Sequence, residues 1–288
     1  MAYKILQLSD IHLGSDYEGN LDTEKQWKAV LKDATSNDGS YDAVIITGDL
    51  LDDKVSVDPA NNAKSGKELN EVGKLGKYME ILDAAKSLCG SSGKLLVTPG
   101  NHDNRKLLAK AAVSVGVEHA SEDMFDNPGE HIQFAHVGSR TIVLIDSGNG
   151  EPYKAIAELA YMANRNKDWK RDMTMIFTHK PFQSPNLYHR FMKDNMLPID
   201  VCHHAIQYAS EYFCGHLHHY ASVHARLADN DFCMTVAPGI QCQIDPYSAK
   251  CNAVPLPGYL TIKFNNYDSI VEKRVHIVEN WQELAEQN

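Results

Sequence analysis

Five short stretches of this chain carry side chains able to bind a metal ion. "SDIHLG" holds Asp10 and His12, and "TGDLLDD" holds Asp49 and Asp52. "PGNHDN" holds Asn101, His102 and Asp103, "FTHKPF" holds His179, and "CGHLHH" holds His216 and His218. Imidazole suits first-row transition metals, and carboxylate oxygen suits the harder cations. No thiolate is among them. A mixture of His, Asp and one Asn can hold two dications if one carboxylate bridges them. Two ions about 3.5–4 Å apart form a clamp for in-line displacement at phosphorus. Gly48, Gly100 and Gly215 each immediately precede a candidate ligand. Glycine there lets the backbone turn sharply or approach closely.

Such side chains must be brought together by the elements that precede them. Apolar runs at 4–9, 41–47, 93–98, 140–146 and 172–178 have the Ile/Val/Leu character of strands buried on both faces. Helical patterns lie at about 23–35, 67–88, 105–115 and 153–168. Alternation of strand and helix predicts an α/β fold with crossover connections. Beyond residue 210 strand follows strand, which reads as a β-rich second half packed on the first, with a short helix at 280–287. In α/β sheets, sites gather beyond the carboxyl ends of strands. Here five strand ends each deliver a metal-competent side chain. No repeat or interdomain linker interrupts the chain, so one domain over 1–288 is expected. Residues 52–66 read as a polar loop, and 183–200 are a candidate cap or lid.

The 288 residues are 43% hydrophobic, ordinary for a globular protein. The formal net charge of −10 gives no general electrostatic footing on a phosphate backbone, so a broad nucleic-acid binder is disfavoured. None of the six cysteines forms a CxxC pair, which argues against a zinc ribbon or a redox motif. The start "MAYKILQLSD" lacks the pattern of a secretory signal, and no run is apolar enough to span a membrane. A cytoplasmic protein with reduced thiols is the expectation.

The five blocks, in order and spacing, resemble the calcineurin-like metallophosphoesterase superfamily: D-x-H, G-D, G-N-H-D, H and G-H-x-H. They run from residue 10 to residue 218. "SDIHL", "PGNHD", "CGHLH" and "VAPGIQCQIDP" are most similar to the class III cyclic nucleotide phosphodiesterase-like group. The resemblance implies a four-layer α/β/β/α sandwich of two packed mixed sheets. It implies a first ion on Asp10, His12 and His218, a second on Asn101, His179 and His216, and Asp49 bridging them. His216 and His218 would then alternate along an extended segment and serve different ions. His102 would be no ligand but a proton donor to the leaving oxygen. Asp52 would orient that imidazole, as a carboxylate does in related protein phosphatases. The implied cofactors are manganese, iron, zinc or a mixed pair. The implied reaction is attack of a metal-bridging hydroxide on phosphorus, with a small phosphodiester, cyclic nucleotides included, as substrate. Similar enzymes are often dimers, which leaves a homodimer open. Many class III relatives carry two histidines and two prolines where this chain has "THKPF". Lys180 and Phe182 therefore change residues that shape the substrate side.

Other readings stay in view. The same blocks occur in nucleases of break repair, and the same clamp serves phosphomonoesters. A metal-binding scaffold is the non-enzyme alternative, disfavoured by intact His102 and Asp52. Asp103 reads as structural, bonding backbone N–H groups in its turn. Arg105 reads as half of a surface salt bridge. His203 and His204 read as one packed and one exposed residue of a helix. His219 reads as a solvent-facing strand position, and Tyr188, His189 and Arg190 as a surface loop.

Overall fold

The computed structural model describes residues 2–13, 22–51, 70–182, 196–227, 230–240, 256–265 and 269–286. The first sheet contains β1 (Tyr3–Leu8), β2 (Tyr41–Thr47), β3 (Cys89–Thr98), β10 (Gly258–Phe264) and β11 (Ile270–Ile277), in the order β11-β10-β1-β2-β3. The second contains β4 (Ile132–Val137), β5 (Arg140–Ile145), β6 (Thr174–Thr178), β7 (Glu211–Cys214), β8 (Ala221–Leu227) and β9 (Asn230–Val236), in the order β4-β5-β6-β7-β9-β8. Both sheets mix parallel and antiparallel pairs.

The strands are apolar on both faces because each face meets a different layer. From β1, Leu6 and Leu8 pack outward among α1 (Thr23–Asp38), α2 (Glu71–Ser87) and α3 (Arg105–Val115). Ile5 of the same strand packs inward, with Ala43 and Ile45 of β2, against Ile142, Leu144, Met175, Phe177 and Phe213 of the second sheet. On the far side, Val143, Ile145 and Ile176 pack against α4 (Tyr153–Arg165) and α5 (Ile199–Ala205). The period-2 alternation of a strand thus feeds two cores at once. The result is the expected α/β/β/α sandwich.

Two features differ from the sequence reading. β4 has no counterpart in the predicted strands. It is the outermost strand of its sheet, and its burial alternates, so it lacks the unbroken apolar run of an inner strand. The strands after residue 210 do not form a separate half. β7, β8 and β9 extend the second sheet, whereas β10 returns to pair antiparallel with β1 in the first. α6 (Trp281–Glu286) packs against α1's layer.

The 52–66 loop and residues 183–195 of the candidate cap lie outside the described residues. Of residues 196–200, Leu197 bridges to Phe182 and leads into α5. Among the described residues, no helix is long and apolar enough to cross a membrane.

Candidate metal centre

β1, β2 and β3 run parallel, as do β5, β6 and β7, and the candidate ligands follow their carboxyl ends. The sheets are tied together beside those ends. Gln7 Nε2 donates to Thr47 Oγ1 (3.0 Å) in its own sheet and to the Cys214 carbonyl (3.1 Å) in the other.

Asp10, His12 and His218 come together, with ligand atoms all within 4.8 Å of one another. His218 Nε2 lies 3.4 Å from Asp10 Oδ1, and the His12 and His218 rings stack at 5.0 Å. Asp49, His179 and His216 form a second set of the same tightness. His216 Nδ1 and Asn101 Oδ1 converge on His179 Nε2 at 3.1 and 2.9 Å. One atom of the second set also approaches the first: Asp49 Oδ2 lies 3.5 Å from His12 Nε2 and 3.2 Å from His179 Nε2. Its partner oxygen Oδ1 accepts the backbone N–H of His102 at 2.8 Å. The carboxylate is thus turned with one oxygen toward the loop and one toward the gap between the sets.

The chemistry of the donors fits two cations. Asp10 and Asp49 are fully buried carboxylates. Both ring nitrogens of His12 and Nε2 of His216 are buried without a hydrogen-bond partner, which is unusual for polar atoms and points to a ligand. Burial lowers the His12 imidazole to about 4 and, helped by the neighbouring His179, the His216 imidazole to about 3. Both are therefore neutral at pH 7, the form that binds metal. Burial also pushes His179 down, but the adjacent Asp49 carboxylate outweighs it and lifts the ring to about 9. Burial opposes the Asp49 charge in turn, yet His179 and His12 hold its carboxyl well below the usual range. His179 Nδ1 lies 2.7 Å from the Thr47 carbonyl, which requires a proton on Nδ1 and aims Nε2 at the centre.

The backbone is bent to the same end. Six non-glycine residues among those described have positive φ, and five are candidate ligands: Asp10, His12, Asp49, His216 and His218. Such conformations cost on the order of 1–3 kcal/mol each and persist where surroundings over-determine them. The surroundings are visible. Asp10 N donates to the Gly48 carbonyl and His12 N to that of Asp49. His216 N donates to both Asp10 oxygens at 3.1 and 2.9 Å. The segment 216–219 is a bend rather than the expected extended run. His216 and His218 reach different sets through their left-handed backbones, not through strand alternation. The close approaches also need glycine. A Cβ on Gly100 would strike the Asp49 carboxylate and amide, and one on Gly215 would strike Ser9 Oγ.

Asp103 is structural, with a wider reach than its own turn. It accepts from Gly100 N and Asp49 N (both 2.8 Å), Leu50 N (2.9 Å) and Leu51 N (3.2 Å). It thereby fastens the loop after β3 to the loop after β2. Burial, with the Asp49 charge beside it, raises its carboxyl to about 6. His102 sits at the rim, its ring perpendicular to that of His12 at 5.0 Å. Asp52, proposed to orient it, lies outside the described residues, as do Tyr188, His189 and Arg190.

Several expectations are corrected. Arg105 makes no surface salt bridge: it pairs with the fully buried Asp146. Phe182 does not shape a substrate side, because it is buried edge-on against Tyr212 at 4.5 Å. His203 and His204 are both exposed. His219 is half-buried in the 216–219 bend, with Nδ1 2.7 Å from the Leu217 carbonyl. Sequence reasoning missed Asp146 and Ser147, although "IDSG" stands at a strand end like the other blocks. Asp146 is carboxylate-bearing, but its oxygens are turned to Arg105, Gly129 N and Gly148 N.

Comparison with known proteins bears on the fold and the family. No curated protein matches the chain. One crystal structure aligns over 97% of this chain and 100% of its own with a TM-score of 0.55, at 12% identity, a likeness of fold alone. The model of the calcineurin-like phosphoesterase family matches residues 3–220, which takes in both donor sets and every strand that carries them. Two largely buried sets of metal-type donors, with one Asp49 oxygen near both, fit a metal-dependent phosphoester hydrolase, and this chain belongs to the calcineurin-like phosphoesterase family.

Proposed function

We propose that this phosphoesterase hydrolyses small phosphodiesters, with cyclic nucleotides among the candidate substrates. The observation that carries the proposal is Asp49 Oδ2, placed within 3.5 Å of a ligand nitrogen from each set. Asp10, His12 and His218 would hold one ion, Asn101, His179 and His216 the other, and Asp49 both. Such a pair supplies Lewis-acid polarisation of phosphoryl oxygens and an activated nucleophile at neutral pH.

The remaining work belongs to side chains. Asp49 Oδ1 accepts the His102 amide, and the His102 ring lies 5.0 Å from that of His12, beside the donors. From there the imidazole can hold a proton for the departing alkoxide, which a diester with a poor leaving group needs most. Asp52 would keep that ring in its donating orientation. The wording of "CGHLH" and "VAPGIQCQIDP" supports the class III assignment within the family.

The test is hydrolysis by the manganese-loaded protein of bis-p-nitrophenyl phosphate against p-nitrophenyl phosphate, with 2′,3′- and 3′,5′-cyclic AMP alongside. Faster diester cleavage with turnover of either cyclic nucleotide is expected. Faster monoester cleavage would move the protein to the phosphatases.

A further inference from the structure

We infer that the turn Asp146–Gly148, which follows β5, is a positioning device that sets Asn101 against His179 and so governs the affinity of the second ion without touching it. This rests on the proposal that the two donor sets hold two ions.

Asn101 and His179 come from different sheets. Asn101 follows β3 and His179 follows β6, yet Asn101 Oδ1 and His179 Nε2 lie 2.9 Å apart. The turn after β5 bonds or packs against both loops. Toward the β6 loop, the fully buried Ser147 accepts two backbone N–H groups on one oxygen, from His179 at 3.1 Å and Lys180 at 2.9 Å. Toward the β3 loop, Asp146 pairs with Arg105, four residues beyond Asn101, with Nη1 3.1 Å from Oδ1. Arg105 Nε also donates to the Phe125 carbonyl at 2.7 Å, so its guanidinium is held at both ends. Gly148 lies against the Gly100 backbone so closely that a Cβ there would strike the Gly100 carbonyl. Below the turn, Thr98 Oγ1 donates to the Ile145 carbonyl at 3.2 Å and joins β3 to β5 directly.

The first set is held differently. Asp10 and His12 are fixed by backbone bonds to the loop after β2, and Asp10 receives the His216 amide. None of these bonds passes through residues 146–148. Loss of the turn's contacts should therefore loosen Asn101 and His179 and spare Asp10 and His12, whose cited bonds run to the loop after β2 and to His216. Partners that orient metal ligands from outside typically change metal affinity by about 10–100-fold when removed.

The experiment is calorimetric titration of the metal-free full chain with manganese. Wild type, Ser147→Ala and Arg105→Gln are compared, each also in an Asn101→Ala background, with thermal unfolding of the metal-free proteins as a folding check. Two ions should bind wild type. In Ser147→Ala one ion should keep its affinity within about threefold, and the other should weaken by about 10–100-fold. The Asn101→Ala background should absorb most of that loss. Should Ser147→Ala fail to fold, Arg105→Gln tests the other arm of the turn by the same comparison. Equal weakening of both ions, unchanged binding, or an undiminished loss in the Asn101→Ala background would overturn the inference. Fewer than two ions on wild type would instead overturn the two-ion proposal beneath it.

Discussion

Asp49 is where the two donor sets meet, and its geometry makes the sharpest residue-scale prediction. Asp49→Ala removes an oxygen that lies within 3.5 Å of a ring nitrogen from each set, His12 Nε2 and His179 Nε2. Elemental analysis should find the variant stripped of the pair, whereas full metal content would remove Asp49 from the bridge. His102→Ala should behave oppositely. The side chain lies beside His12 but in neither set, so both ions should remain while kcat falls by about 10²–10⁴-fold. The loss should be largest for alkyl diesters and smaller for p-nitrophenolate, which leaves unaided. Equal losses for good and poor leaving groups would contradict proton donation. Residue types at this scale were legible in the sequence because Asp, His and Asn in ordered blocks announce metal chemistry. Their partners were not. Asp103 bonds amides more than 50 positions away, and Arg105 finds Asp146 across 41. No local spacing rule reaches that far.

Strand ends and the loops leaving them set the second scale. The site depends on the loop after β2 being stapled to the loop after β3, and Asp103 is the staple. Asp103→Ala would leave four buried backbone N–H groups without their acceptor. Each unsatisfied buried donor costs about 1–3 kcal/mol, so denaturant unfolding should show a loss of roughly 4 kcal/mol or more. A change below about 1 kcal/mol would mean that water or another side chain replaces the carboxylate. The inner strands were legible because double burial writes an unbroken apolar run. β4 was not, since its alternating pattern belongs to a sheet edge. The His216–His218 segment looked extended from its spacing, but the structure uses left-handed residues there. Sequence spacing says which residues are two apart; it does not say that the chain between them is straight.

At the scale of the whole molecule, two sheets meet over one core, and the centre sits along the edge where their carboxyl ends meet. Ions bound there would cross-link the sheets in the folded state alone. A ligand at about 1,000 times its Kd adds roughly 4 kcal/mol of stability. Chelation should accordingly lower Tm by several degrees, and a Tm indifferent to chelator would argue that no ion bridges the sheets. The α/β class was legible from strand and helix alternation, whereas the four-layer sandwich was implied only by the family resemblance of the blocks. The return of β10 to the first sheet was not, because a chain of successive strands carries no mark of which sheet each joins. The net charge of −10 lies outside this architecture; the proposal of a small substrate rather than a polyanion rests on it.

Two ions, held by the two donor sets with Asp49 between them, are proposed to be needed for phosphoester hydrolysis by this chain. The most direct test of that claim is the rate of bis-p-nitrophenyl phosphate hydrolysis as manganese is added back, one equivalent at a time, to metal-free protein. Negligible rate without metal and a plateau reached only at two equivalents per chain are predicted. Full activity in the metal-free protein, or saturation at a single equivalent, would contradict the account.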